Sequence, residues 1–205
     1  MGPSLSIDVG GIELFLKQNQ HGPEVLEALR YRTMVHWLRP ELDRLSARML
    51  PVYTEIAGHL EWPFSILDVG CMTGWLKHFL SQRFEKPFNY VGIDNWDEAL
   101  MVAKEFDPYI DVHKADILED EIPGPLGPGF ASDYKYAWCS NIQFGKLAPQ
   151  VIQKMMDHTQ DCAFFGMPDY CGDYSEMAKE LGFNTETYDC GVAHGSHQTL
   201  VKVWR

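Results

Sequence analysis

From Phe64 onward, short apolar runs alternate with segments of helix length, and this alternation narrows the fold more than any other property of the chain. FSILDV, NYVGID, IDVHKAD, YKYAWCS and CAFFGM are five candidate strands. They are nearly continuous in apolar character, as strands covered on both faces of a parallel sheet tend to be. Between them lie WLKHFLSQRF, DEALMVAKEF and KLAPQVIQKMMDHT, each long enough for a crossover helix. The pattern predicts an α/β parallel sheet with helices on both faces. One interval is irregular: EIPGPLGPGFAS, residues 121–132, carries three prolines and three glycines where a helix is due, and reads as a surface loop. After SEMAKELGF, a helix ending at Gly182, come NTETYD and QTLVKVW, joined by CGVAHGSH. That connection is too short for a crossover helix, so the last two strands are expected to be antiparallel neighbours.

The first sixty residues read as helical. Pro23 opens EVLEALRYRTMVHWLR at its first turn and Pro40 closes it. Leu42, Leu45, Met49, Val52 and Ile56 then recur at helical spacing, with Pro51 as a kink or restart. At 205 residues the chain is expected to form one domain, 1–205, in which a helical cap (1–60) accompanies an α/β core (61–205).

Charge narrows the partners. The net charge is −12, and residues 61–205 hold 22 of the 29 acidic side chains against 11 of the 17 basic ones. Phosphate backbones and anionic lipid are bound largely through Lys and Arg, so this balance argues against nucleic acid and membrane partners. MGPSLSIDVGGIELF lacks a basic segment followed by an unbroken apolar one, and the chain is read as cytoplasmic. Five cysteines, odd in number and without a CxxC pair, argue against a disulfide framework or structural zinc.

The segment Ile66-Leu67-Asp68-Val69-Gly70-Cys71-Met72-Thr73-Gly74-Trp75 concentrates the chemistry. An apolar strand runs into a turn with two glycines and then into a helix, which turns backbone N–H groups toward whatever lies above the strand end. The second strand ends in Gly92-Ile93-Asp94, placing a carboxylate where it could accept hydrogen bonds from a ribose diol. Gly70-x-Met72-x-x-Trp75 keeps only the first glycine of G-x-G-x-x-G, which argues against a nicotinamide dinucleotide.

On these residues the chain resembles the class I S-adenosylmethionine-dependent methyltransferases, over about residues 60–205. LDVGCMTG resembles the family's D-x-G-x-G-x-G motif, with Asp68, Gly70 and Gly74 in place, Cys71 beside them and Met72 where the central glycine is usual. The resemblance implies a Rossmann-like seven-stranded sheet, mostly parallel with the last strand antiparallel, and S-adenosyl-L-methionine as cofactor. It gives Asp94 to the ribose hydroxyls, Asn95 and Trp96 to the flanks of the adenine, and Asp116 and Ile117 to the adenine edge. Ser140, at the end of the fourth strand, faces the transferred methyl group in this comparison, and Asn141 follows it.

A sulfonium methyl is already activated, so such an enzyme mainly holds a nucleophile in line and excludes water. His194 and His197, in the last loop, are candidate bases, with Asn141 a third catalytic candidate. Gln143, Phe144 and Asp169 follow strand ends on the same side and are candidate acceptor contacts. The resemblance adds Tyr31, Arg32, His36 and Trp37 of the helical cap, since an N-terminal helical segment often covers the substrate side in this family. No metal site is expected. The expected activity is methyl transfer to an oxygen or nitrogen of a small molecule by a monomer or homodimer. The alternatives are methylation of a protein or RNA, a catalytically silent binding module, and chemistry on another part of the same sulfonium cofactor.

Overall fold

The computed structural model describes residues 49–125, 133–140, 147–168, 174–193 and 196–205. They belong to one compact unit. Seven strands form one sheet: β1 (Ser65–Val69), β2 (Asn89–Asp94), β3 (Val112–Lys114), β4 (Tyr134–Ser140), β5 (Thr159–Pro168), β6 (Asn184–Ala193) and β7 (Ser196–Trp204). Their order is β3-β2-β1-β4-β5-β7-β6. The first five strands are parallel, while β7 runs antiparallel to both β5 and β6. This is the seven-stranded, mostly parallel sheet expected from the sequence.

Alternation along the strands divides the core in two. On one face Leu67, Val91, Ile93, Ala137, Phe165 and Val201 pack under two helices, Ala148–Asp157 and Tyr174–Glu180. Val151, Ile152, Met155 and Met156 of the former are fully buried, which gives that helix a strong apolar stripe. On the other face Ile66, Tyr90, Tyr136, Trp138, Phe164 and Leu200 lie under three helices, over residues 49–59 (α1), Trp75–Arg83 (α2) and Asp97–Phe106 (α3). Ala148–Asp157 and Tyr174–Glu180 are α4 and α5. Met49, Val52 and Ile56 of the predicted apolar stripe do pack on the sheet, with Pro51 inside the helix. Leu42 and Leu45 lie outside the described residues, as does most of the expected cap. Among the described residues no helix is long and apolar enough to cross a membrane.

Several boundaries differ from the sequence reading: β5 begins at Thr159, three residues before the expected Cys162, and two further differences have a visible cause. The third strand, expected over 110–116, is limited to Val112–Lys114 because a turn follows: Asp116 Oδ1 accepts the Leu118 N–H, and Asp120 N–H bonds back to the Asp116 carbonyl. The connection expected over 190–197 is mostly strand. β6 continues through a register shift between Asp189 and Val192, and pairing resumes at Val192↔His197 and Ala193↔Ser196. A bulge lets one strand carry extra residues without losing its partner, and residues such as Gly191 at φ 78° make it possible.

β1 has β2 on one side and β4 on the other, so the chain leaves the middle of the sheet in both directions. In open α/β sheets this switch point opens a crevice at the carboxyl ends of the strands, where ligands bind.

Candidate functional site

The glycine turn stands at that switch point. Gly70 (φ 72°), Met72 (φ 48°) and Gly74 (φ 72°) all take left-handed backbone within five residues. Gly70 N–H and Cys71 N–H both donate to the Ile93 carbonyl, at 2.8 and 3.1 Å, which fastens the turn to the end of β2. Gly74 N–H closes on the Cys71 carbonyl at 2.8 Å and α2 begins at Trp75. A side chain at Gly74 would be strained by its φ, and its Cβ would lie 2.3 Å from Ile110 Cδ1, a side-chain end that would have to turn away. Met72 accepts the same backbone region without glycine's freedom, so the central position of the motif keeps a glycine-like conformation with a side chain attached.

Asp94 ties the turn together. Its Oδ2 accepts the Met72 N–H and its Oδ1 the Trp96 N–H, both at 2.9 Å. The carboxylate is 9% exposed, and each oxygen keeps acceptor capacity beyond its one backbone bond. Trp96 stands at the start of α3 with its ring partly exposed, and Asn95 is exposed beside it. The Ala115 N–H donates to the Asp94 carbonyl at 3.1 Å, which brings Asp116 next to the same strand end. Ile117 is buried in the core.

Asp68 lies beneath the turn, 2% exposed, and its Oδ2 accepts a hydrogen bond from Tyr90 Oη at 2.7 Å. Burial pushes its carboxyl up to about 7; the Tyr90 bond opposes that rise and the charge of Asp94 adds to it. Burial likewise raises the Cys71 thiol and the Tyr53 and Tyr90 phenols, each further disfavoured by the negative charge of Asp68. Among the described residues, none of the groups acting on Asp68 is cationic. Thr73, inside the turn, has a buried hydroxyl without a hydrogen-bond partner among the described residues. A buried hydroxyl left unpaired inside a turn of left-handed backbone calls for a partner from outside the turn.

The structure therefore brings together Asp68, Gly70, Cys71, Gly74, Asp94, Asn95 and Trp96, with Asp116 adjoining. β4 ends at the same side with Ser140. His197 is also at this end of the sheet, one residue beyond the Pro168↔Gln198 pair, but three strands from β1, about 14 Å across at the usual strand spacing. Its Nε2 pairs with Asp189 Oδ1 at 3.0 Å, and the Gly191 N–H donates to that same oxygen at 2.8 Å. Tyr31, Arg32, His36, Trp37, Asn141, Gln143, Phe144, Asp169 and His194 lie outside the described residues.

Thr73 and Tyr90 were not singled out from sequence. Thr73 was visible as a hydroxyl inside the glycine motif. Tyr90 was visible only through register: Ile66 pairs with Tyr90 and Asp68 with Gly92, so Tyr90 faces the same side as Asp68, and the glycine between leaves its phenol room.

No family model matches the chain. A segment of 71 residues is 35% identical to the carboxy-S-adenosyl-L-methionine synthase of Trichodesmium erythraeum (strain IMS101), covering 31% of this chain and 28% of that protein. The chain thus matches less than a third of that relative's length. Among solved structures, a TehB-like SAM-dependent methyltransferase from Corynebacterium glutamicum ATCC 13032 Kitasato superposes with a TM-score of 0.65 at 17% identity, over 85% of this chain and 99% of that one. The chain has the fold of the SAM-dependent methyltransferases. The same methyltransferase fold is seen in magnesium protoporphyrin IX methyltransferase from Synechocystis PCC 6803, solved with bound SAM (TM-score 0.57, 13% identity, 100% of both chains). In this methyltransferase fold the turn of residues 70–74 follows the first strand, at the switch point of the sheet.

Proposed function

We propose that this chain binds S-adenosylmethionine at the carboxyl ends of β1 and β2 and transfers its methyl group to an oxygen or nitrogen of a small molecule in the cytoplasm. The observation that carries the reading is the turn itself: left-handed backbone at residues 70, 72 and 74, fastened to Asp94, above a buried Asp68 with no cationic neighbour among the described residues. Asp94 retains acceptor capacity on both oxygens for a ribose diol. Asp68 suits the positively charged methionyl end, and the Thr73 hydroxyl gains the partner it lacks. The cofactor, when bound, supplies a methyl on a cationic sulfur, which needs an aligned nucleophile more than a dedicated base. The protein's task is to orient the two partners and to keep water out. The acidic charge balance favours a small acceptor over RNA; a protein or RNA substrate is the rival on the acceptor side.

A second reading, chemistry on the cofactor itself, is supported by the segment shared with a carboxy-S-adenosyl-L-methionine synthase. Incubation with 13C-methyl-labelled S-adenosylmethionine and a small-molecule cell extract, which supplies methyl acceptors and carboxyl donors, followed by mass spectrometry, separates the readings. Methyl transfer yields S-adenosylhomocysteine and a labelled acceptor. Cofactor chemistry yields a new sulfonium that keeps the label, and a silent module returns the cofactor unchanged.

A further inference from the structure

We infer that Tyr90 is a positioning residue for Asp68: its phenol, donating to Oδ2 across two neighbouring strands, orients the carboxylate and favours its ionised form, the form a cationic ligand needs. This rests on the cofactor reading above.

The geometry is specific. Tyr90 is on β2 and Asp68 on β1, facing the same side of the sheet, and Oη lies 2.7 Å from Oδ2. Gly92, the register partner of Asp68 on the face that Tyr90 shares, leaves room for the phenol. A Cβ at residue 92 would lie 3.0 Å from Tyr90 Oη and 2.7 Å from Cys71 Sγ, so a larger residue would crowd the hydroxyl that donates to Asp68. Among the described residues, the titratable groups that face Asp68 are Tyr53 from α1, Tyr90 and Asp94 from β2, Cys71 from the turn and Cys139 from β4. All are neutral or negative near neutral pH, so none favours the carboxylate by charge. The phenol stabilises the ionised form by donating to it, whereas burial and Asp94 disfavour it. Phenylalanine would fill the same space in the apolar cluster of Phe64, Ile66 and Tyr136. The hydroxyl is therefore accounted for by the carboxylate and not by packing.

A ligand cation seated against Asp68 requires the carboxylate. With the empty site titrating near 7, binding is flat above that pH and weakens tenfold per unit below it. Calorimetric titration with S-adenosylhomocysteine from pH 5.5 to 8.5 tests this, with circular dichroism at each pH to establish folding. The wild-type protein should bind about tenfold more weakly at pH 6 than at pH 8. Tyr90→Phe should move that step to higher pH, because the bond that favours ionisation is gone, and Asp68→Asn should abolish the step. A purely structural Tyr90 would weaken binding equally at every pH, and that result, or a flat wild-type profile, overturns the inference. Failure of the wild-type protein to bind at any pH overturns the cofactor reading itself, and this inference with it.

Discussion

The backbone N–H of Met72 donates to Asp94 Oδ2 at 2.9 Å, joining the crown of the glycine turn to the end of the neighbouring strand across 22 residues of sequence. Because Asp94 Oδ1 holds the Trp96 N–H at the start of α3, one carboxylate braces two structural elements of the site. Asp94→Ala leaves both N–H groups without their acceptor, and should lower stability by about 2 kcal/mol while weakening S-adenosylhomocysteine binding at least tenfold. Asp94→Asn keeps acceptor capacity on one oxygen and should fall between. Urea unfolding and calorimetry on the same samples check both effects; unchanged stability in Asp94→Ala would contradict the bracing role.

Met72 supplies a prediction of opposite sign. A left-handed residue with a side chain is disfavoured by about 1–2 kcal/mol, partly offset by the larger entropy glycine loses on folding. Met72→Gly should therefore stabilise the apo protein by about 0.5–1 kcal/mol, read as a higher urea midpoint at unchanged m. A lower midpoint would mean that the methionine side chain contributes packing that outweighs the strain.

Gly74 combines two penalties that can be separated. Gly74→Ala places a Cβ 2.3 Å from Ile110 Cδ1 and leaves alanine at φ 72°. Ile110→Val removes that Cδ1, so the double variant should recover the steric part and keep a backbone cost of about 1 kcal/mol. Strict additivity of the two single changes in a double-mutant cycle would contradict the contact.

Asp68 governs the pH dependence of the empty protein. Its carboxyl is raised from 3.8 to about 7 in the fold, so the native state holds a proton that the unfolded chain releases. The stabilisation this proton confers is complete below about pH 4 and is lost as pH rises through 7, a difference on the order of 4 kcal/mol. Asp68→Asn should flatten that part of the stability profile and be more stable than wild type at pH 8. Thermal melts of both proteins between pH 4 and 8 measure it, and parallel profiles would place the Asp68 carboxyl outside the buried environment described here.

Much of this architecture was legible in the chain. β2, β4 and α3 have the bounds read from NYVGID, YKYAWCS and DEALMVAKEF, because each is an apolar or amphipathic run with a clear break at either end. β3 was overestimated because apolar residues continue on both sides of it; Asp116 ends the strand through a side-chain bond that periodicity does not reveal. The β6–β7 connection was read as a loop over 190–197 because the apolar, strand-like runs stop at Asp189 and resume at Gln198, whereas Gly191 serves a bulge within continued pairing. At the site, the glycines and Asp94 announced themselves by spacing. The Tyr90–Asp68 bond did not, since it depends on which strands are neighbours and in what register. The two faces of the sheet show the same limit: near-continuous apolar runs told that the strands are covered on both sides, and only the structure told which helices cover which face.

The central claim is that the turn at residues 70–74 receives S-adenosylmethionine. The most direct test is a thermal melt with S-adenosylhomocysteine, S-adenosylmethionine and NAD in parallel. A ligand at a hundred times its Kd adds about 2.7 kcal/mol, which for a chain of this size raises Tm by about 5–11 °C. The account predicts that rise with the first two ligands and none with NAD. No rise at saturating S-adenosylhomocysteine, or a rise with NAD alone, would contradict it.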